Sequence, residues 1–238
     1  SKTILITGSS SGIGKATVKL FQEKGWNVIA TMRTPEKEEE LTKLDNVLVV
    51  RLDVTDLESI DNAIKSGIEK FGKIDVLVNN AGYGAYGPLE AFPRENIVRQ
   101  FNTNVIGLLD VTRAVLPHFR ANKSGVVVNI SSMGGKIYFP LGAWYHATKH
   151  AIEGWSDCLR LELKKFNINV VIIEPGAINT NFGNVMASYL EKYIEGSAYS
   201  HMIDPYVKMM KAMEENPEEV GLIGADPIVI AKVINEAI

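Results

Sequence analysis

The sequence predicts an α/β fold: a doubly wound parallel sheet in a three-layer α/β/α arrangement. Three observations predict it. Short apolar runs alternate with stretches of helical periodicity along the whole chain. The first apolar run ends in a glycine-rich turn that opens onto a helix. The length, 238 residues, suits one α/β domain with a sizeable core. No repeat, low-complexity segment or domain linker interrupts the pattern, so residues 1–238 are expected to form a single domain.

Taken in order, Thr3 to Thr7 (TILIT) is a buried parallel strand, since it is apolar throughout rather than alternating. Gly8, Gly12 and Gly14 follow, with Ser10, Ser11 and Ile13 between them, and Lys15 to Lys24 has a helical pattern. Strand, glycine turn and helix together hold a dinucleotide pyrophosphate at a helix N-terminus. Asn27 to Thr31 is the second strand. An acidic residue at its end would bind a ribose 2′-hydroxyl, but no acid comes before Glu36, and Arg33 offers a cation suited to a 2′-phosphate. NADP(H) is therefore favoured over NAD(H), with Ser9, Ser10 and Ser11 adding hydroxyls. Pro35 to Leu44 is expected to be a short exposed helix and Val47 to Leu52 a third strand. Leu57 to Phe71 is a helix stopped by Gly72.

Ile74 to Val78 is the fourth strand. It is followed by Asn79-Asn80-Ala81-Gly82 and a mobile loop, Tyr83 to Pro88, that could face substrate. A helical stretch runs from Arg94 to Arg120, where Pro117 is expected to kink or end it. Gly125 to Ile130 and Ile168 to Ile173 are the fifth and sixth strands, with a helix from Ala143 to Phe166 between them. Residues 181–219 are rich in methionine and tyrosine: Met186, Tyr189, Tyr193, Tyr199, Met202, Tyr206, Met209, Met210 and Met213. They are either the core faces of two amphipathic helices or an adaptable apolar surface for substrate. Asp226-Pro227 opens a last helix.

The chemistry centres on Tyr145 and Lys149. Their i, i+4 spacing puts both side chains on one helical face, one turn apart. A free tyrosine has a pKa near ~10, and a neighbouring ammonium is expected to lower it. The pair makes an acid/base unit for a carbonyl or alcohol, and a serine, Ser131 or Ser132, is delivered by the fifth strand. Other chemistries lack their residues. His146 and His150 share a helix face, but no glutamate base stands between them in the zinc-protease manner, so no metal is expected. No G-x-S-x-G elbow is present. Cys158, the only cysteine, cannot form an internal disulfide and is expected to be packed. A net charge of −3 gives no case for nucleic acid. No signal peptide or membrane-length apolar run is found, and a cytoplasmic location is expected.

TGSSSGIG (Thr7 to Gly14), NNAG (Asn79 to Gly82), NTNVIG and the Ser132–Tyr145–Lys149 set stand in an order that resembles the short-chain dehydrogenase/reductase family, a Rossmann-type fold. The G-x-x-x-G-x-G spacing departs from the commoner dinucleotide fingerprint in the way this family does. The resemblance implies catalytic roles for Asn104, Ser132, Tyr145 and Lys149, the thirteen-residue spacing selecting Ser132 over Ser131. It implies that Asp53 and Val54 lie against the adenine, and that the loop of Asn79, Ala81 and Gly82 lies against the adenosine and the central sheet. It also implies that Pro175, Gly176, Ile178 and Thr180 line the nicotinamide, and that residues 181–219 form a substrate lid. The function implied is hydride transfer between NAD(P)H and a carbonyl or alcohol substrate, as a homo-dimer or homo-tetramer. The stretch from Ser132 to Tyr145, with ATMR, looks most like the branch acting on retinoids, steroids and other apolar alcohols. A non-catalytic dinucleotide sensor and a sugar-nucleotide epimerase or dehydratase are the alternatives. Family members usually add a seventh strand after the last helix, so either the chain is truncated or the sheet is one strand short.

Overall fold

The computed structural model describes residues 1–215 and 224–238. Met213's side chain and positions 216–219 of the expected lid lie outside the described residues. The elements are β1 (Thr3–Ile6), α1 (Gly12–Glu23), β2 (Asn27–Met32), β3 (Val47–Arg51), α2 (Leu57–Phe71), β4 (Val76–Asn79), α3 (Arg94–Phe101), α4 (Leu108–Asn122), β5 (Gly125–Ile130), α5 (Ala143–Leu163), β6 (Ile168–Ile173), α6 (Phe182–Leu190), α7 (Ser200–Glu215) and α8 (Pro227–Ala237). The strands form one six-stranded sheet in the order β3-β2-β1-β4-β5-β6, and every pairing is parallel. The order reverses direction between β1 and β4, and the crevice beyond the carboxyl ends of those strands is where such a sheet binds its ligand.

Alternation along the strands builds two cores. Ile4, Ile6, Val28, Val76, Val78 and Val128 point to one face, where Val18 and Phe21 of α1 and Ile230 and Ile234 of α8 cover them. Leu5, Ile29, Leu77 and Val127 point to the other, against Ile60 and Ile64 of α2 and Val111, Val115 and Phe119 of α4. A polar chain crosses the buried middle. Asn79 Nδ2 donates to Thr112 Oγ1 (2.8 Å) and to its register partner Asn129 (2.9 Å), and Asn129 Nδ2 donates to Ser156 Oγ (2.9 Å). These bonds fasten β4 and β5 to α4 and α5.

Several expected elements are corrected. Pro35 to Leu44 is not a helix but two 3₁₀ turns, Pro35–Lys37 and Leu41–Lys43. The Glu38 carboxylate accepts from the backbone N–H of Glu40 and of Leu41, replacing helical bonds, and Leu41 is wholly buried. The long helix from Arg94 is interrupted by a π-helical segment, Asn102–Gly107. Pro117 does not end α4, which runs on to Asn122. Pro117 and Arg113, whose carbonyl loses its helical donor, are both exposed. Cys158 is exposed rather than packed.

Candidate active site

The glycine turn is built by close backbone approach. Gly8 (φ 67°) and Gly12 (φ 54°) adopt the left-handed region. A Cβ on Gly14 would lie 2.2 Å from the Gly8 carbonyl oxygen and 2.7 Å from Asn80 Nδ2. Asn80 Nδ2 donates to the carbonyls of Thr7 and Gly8, and Thr7 Oγ1 accepts from the N–H groups of Asn80 and Ala81. Thr7 and Asn80 thus lock the turn to the loop after β4, a role the sequence reading did not assign. Ser11 is the N-cap of α1 without a side-chain capping bond, and no acid stands in the first turn. The first-turn N–H groups of α1 therefore remain available to an anion, and a pyrophosphate fits this cradle.

Around the cradle the expected residues divide. Ser10 and Ser11 are exposed at the turn. Ser9 is not: its hydroxyl donates to the Ile6 carbonyl inside the sheet. Arg33 is exposed just past β2 and makes no ion pair among the described residues. Of the acids that follow, Glu38 and Glu40 pair with Lys15 instead (3.3 and 3.0 Å). Asp53 Oδ1 accepts from Thr55 N–H (2.9 Å) and Thr55 Oγ1 (2.7 Å), while Val54 beside it is buried. Asn79 takes the central-sheet side of the place expected for its loop. Its side chain is fully buried in the polar chain between sheet and helices and does not face the crevice. Ala81 lines the turn, its Cα 3.0 Å from a Cβ built on Gly8, while a Cβ on Gly82 would meet Asn104 Oδ1 at 3.1 Å. The segment after β6 comes alongside: Met133 N–H donates to the Pro175 carbonyl (2.9 Å), Gly176 follows, Ile178 packs against the core, and Thr180 lies 3.1 Å from a Cβ built on Gly12.

The four candidate catalytic side chains converge. Ser132, at the end of β5, accepts the Gly134 N–H on its Oγ (3.0 Å), which leaves its own proton free to point outward. It lies beside the Tyr145 hydroxyl, where it favours the phenolate. Lys149 donates to the Ile130 carbonyl at the end of β5 (2.9 Å), and its Nζ sits 5.8 Å from the Tyr145 ring centre. Asn104, buried in the π-helical segment, accepts from Tyr83 N–H (3.0 Å) and donates to the Tyr83 carbonyl (2.8 Å) and to Thr148 Oγ1 (3.2 Å). The expected lowering of the Tyr145 pKa is corrected here. Burial pushes the phenol up to about 12, with the Ser132 bond pulling the other way, and burial holds the Lys149 ammonium down to about 8 against the pull of Glu153. Desolvation is the largest cause at both groups.

A third apolar cluster covers Tyr145. Tyr86, Met186, Leu190, Ile203 and Val207 form it, with Tyr193, Tyr199, Tyr206 and Met210 packed around. The ring of Phe182 lies 5.3 Å from that of Tyr145, and the ring of Tyr86 5.6 Å. The loop from Tyr83 to Pro88 is pinned, not free. Tyr83 is held by Asn104, Ala85 N–H donates to Gln100 Oε1 (2.8 Å), and a Cβ on Gly84 would lie 2.4 Å from Phe182. Gln100 and Phe182 carried no signal in the sequence, since only packing reveals them. The two histidines bind protein groups: His146 touches Gly134, Phe139 and Tyr86, and His150 Nδ1 meets the His146 carbonyl.

Residues 2–189 match the family model described as short chain dehydrogenase. An uncharacterized oxidoreductase of Schizosaccharomyces pombe is 48% identical over 151 residues, 63% of this chain and 64% of that protein. An uncharacterized oxidoreductase of Bacillus subtilis is 38% identical over 242 residues, 98% of this chain and 83% of its own. A 3-ketodihydrosphingosine reductase of Bacteroides thetaiotaomicron is 41% identical over 179 residues, 75% of this chain and 65% of its own. The matched stretch thus spans just under two thirds of the fission-yeast relative. Among solved structures, a short-chain dehydrogenase from Streptomyces avermitilis superposes with a TM-score of 0.82 at 35% identity, covering 100% of this chain and 83% of its own. ElxO with NADP bound gives 0.80 at 29%, covering 98% and 89%. A 3-ketoacyl-(acyl-carrier-protein) reductase from Brucella melitensis complexed with NADH gives 0.80 at 28%, also covering 98% and 89%.

Proposed function

The chain belongs to the short-chain dehydrogenase family, and from that premise we propose that it is a nicotinamide-dependent oxidoreductase interconverting a carbonyl and an alcohol. The observation that carries the reading is the junction of three groups at the end of β5: Ser132 beside the Tyr145 hydroxyl, with Lys149 fixed to the Ile130 carbonyl and 5.8 Å from the Tyr145 ring. Ser132 donates its free proton to the substrate oxygen and orients it. Tyr145 protonates that oxygen in reduction and takes the proton back in oxidation. Lys149 keeps further donors after the bond to Ile130, and these hold a ribose hydroxyl and the proton path that Asn104 completes. A bound nicotinamide supplies or accepts the hydride, and its oxidised ring adds the positive charge that favours the Tyr145 phenolate.

NADP(H) is the preferred cofactor on this reading, supported by exposed Arg33 and the internal neutralisation of Glu38 and Glu40. The substrate is an apolar carbonyl or alcohol, supported by the aromatic and methionine cluster over Tyr145 and by the sequence resemblance to the retinoid and steroid branch. Residues 181–219 act as its lid within one domain spanning 1–238. A cytoplasmic homo-dimer or homo-tetramer completes the proposal; among the described residues no helix is long and apolar enough to cross a membrane.

The test is tryptophan-fluorescence titration with NADPH and NADH, followed by the loss of reduced-nicotinamide absorbance with hexanophenone and apolar aldehydes. Tighter NADPH binding in the parent, reduced about tenfold in Arg33→Ala with NADH unchanged, is expected for one lost charged phosphate contact. Equal affinities in both proteins would remove the NADP preference. Turnover separates a reductase from a sensor, and redox products separate it from an epimerase.

A further inference from the structure

His146 follows the central tyrosine directly, and hydride and proton transfer do not use it. It is buried, 4% exposed, and sits where three segments meet. Its Nδ1 is 2.9 Å from the carbonyl oxygen of Gly134, a group that only accepts. Its Nε2 is 3.0 Å from the backbone nitrogen of Phe139, a group that only donates. Two backbone groups of opposite kind therefore fix the ring as the neutral tautomer with the proton on Nδ1. Tyr86 reaches the same Nε2 at 3.4 Å. The ring occupies space that a side chain at either neighbour would need: a Cβ on Gly134 would lie 2.9 Å from Nδ1, and one on Gly142 2.8 Å from Cδ2.

The consequence runs through Gly134. Its N–H donates to Ser132 Oγ and its carbonyl accepts from His146, so this one peptide link joins the histidine to the serine. Through Nε2 the same ring holds Phe139, whose side chain is 45% exposed, and Tyr86, whose ring stacks beside Tyr145.

Resting on the oxidoreductase reading above, we propose that His146 is a positioning residue with two separable halves. Nδ1–H holds the Ser132 loop in register with Tyr145, and Nε2 holds the Phe139 and Tyr86 wall of the substrate mouth.

The halves are separated by two amide substitutions. His146→Asn keeps a donor near the Nδ1 position and loses the acceptor at Nε2. His146→Gln places an amide oxygen near the Nε2 position and loses the donor to Gly134. The activity assay uses NADPH and hexanophenone. His146→Gln is expected to lower kcat about tenfold with KM little changed, and His146→Asn to raise KM about tenfold with kcat little changed, each the loss of one buried hydrogen bond. Amide hydrogen exchange on the same proteins, followed by NMR without substrate, gives the activity-independent arm. The Phe139 amide is expected to exchange faster in the Asn variant only, and the Gly134 amide faster in the Gln variant only. Parent protein inactive with this ketone would count against the functional reading, and the exchange arm would still decide the role of His146. The proposal is overturned if both variants change kcat and KM in the same proportion, if neither changes either amide, or if neither folds.

Discussion

The glycine turn and the cover over Tyr145 flank the same crevice and are held in opposite ways. The turn is backbone packed on backbone: Gly14 faces the Gly8 carbonyl with no space for a methyl group, and Thr7 and Asn80 tie both strands' ends. The cover is side chain on side chain: Phe182, Tyr86, Met186 and Leu190 meet over a tyrosine that is only 6% exposed. A backbone contact of that kind admits one residue type, whereas a cluster of aromatics and methionines admits many. The region that would hold the cofactor is therefore rigid in sequence, and the region that would meet the substrate is adaptable.

Three substitutions sharpen the contrast. Gly14→Ala is expected to have the largest effect, about 3 kcal/mol of lost stability, since the added carbon collides with backbone that cannot move aside. It should also abolish dinucleotide binding. Urea unfolding and a fluorescence titration check it, and a variant within about 0.5 kcal/mol of the parent would show that the turn is not sterically fixed.

The second prediction concerns pH. Burial lowers Lys149 from 10.5 to about 8. Between those values the unfolded chain binds the extra proton, so stability of the cofactor-free protein rises with pH above about 8. The full cost below that pH is roughly 3 kcal/mol, and about 2 kcal/mol of it is recovered by pH ~10. Tyr145 has the opposite sign. Its pKa is raised from 10.0 to about 12, so the folded chain holds the extra proton there and stability falls above pH ~10. Lys149→Met should remove the rise and keep the fall. Urea midpoints across this range check both, and a parent whose midpoint is flat from pH ~8 to ~10 would refute the desolvated lysine.

Phe182→Ala is expected to have the smallest effect on stability, about 1 kcal/mol, because the ring is only half-buried. It should lower KM for bulky ketones while leaving the Kd for NADPH unchanged. A change in cofactor affinity would instead tie the cover to the dinucleotide side.

The same contrast explains what the sequence disclosed. All six strands were legible to within two residues at each end, because buried parallel strands are unbroken apolar runs bounded by turns. The glycine turn was legible because steric demands fall on single positions. Tyr145 and Lys149 were placed together by their one-turn spacing and Ser132 was added by the family resemblance, and the structure brings the three close. Their proton affinities were not legible. A one-turn spacing says that an ammonium is near, but the phenol's burial comes from packing with rings such as Phe182 and Tyr86, far away in sequence. Asn79 was legible only at the level of its loop: the sequence placed the loop between adenosine and sheet, and strand alternation turns this side chain inward to Thr112 and Asn129. The end of the third-strand approach, Pro35 to Leu44, failed where Glu38 capped the backbone itself.

The most direct test of the central claim is Tyr145→Phe, assayed for NADPH affinity and for reduction of whichever carbonyl the parent turns over. The acid/base reading predicts a Kd within about twofold of the parent and a loss of kcat of at least about a hundredfold. Turnover retained within tenfold, with the cofactor bound normally, would mean that the proton comes from elsewhere.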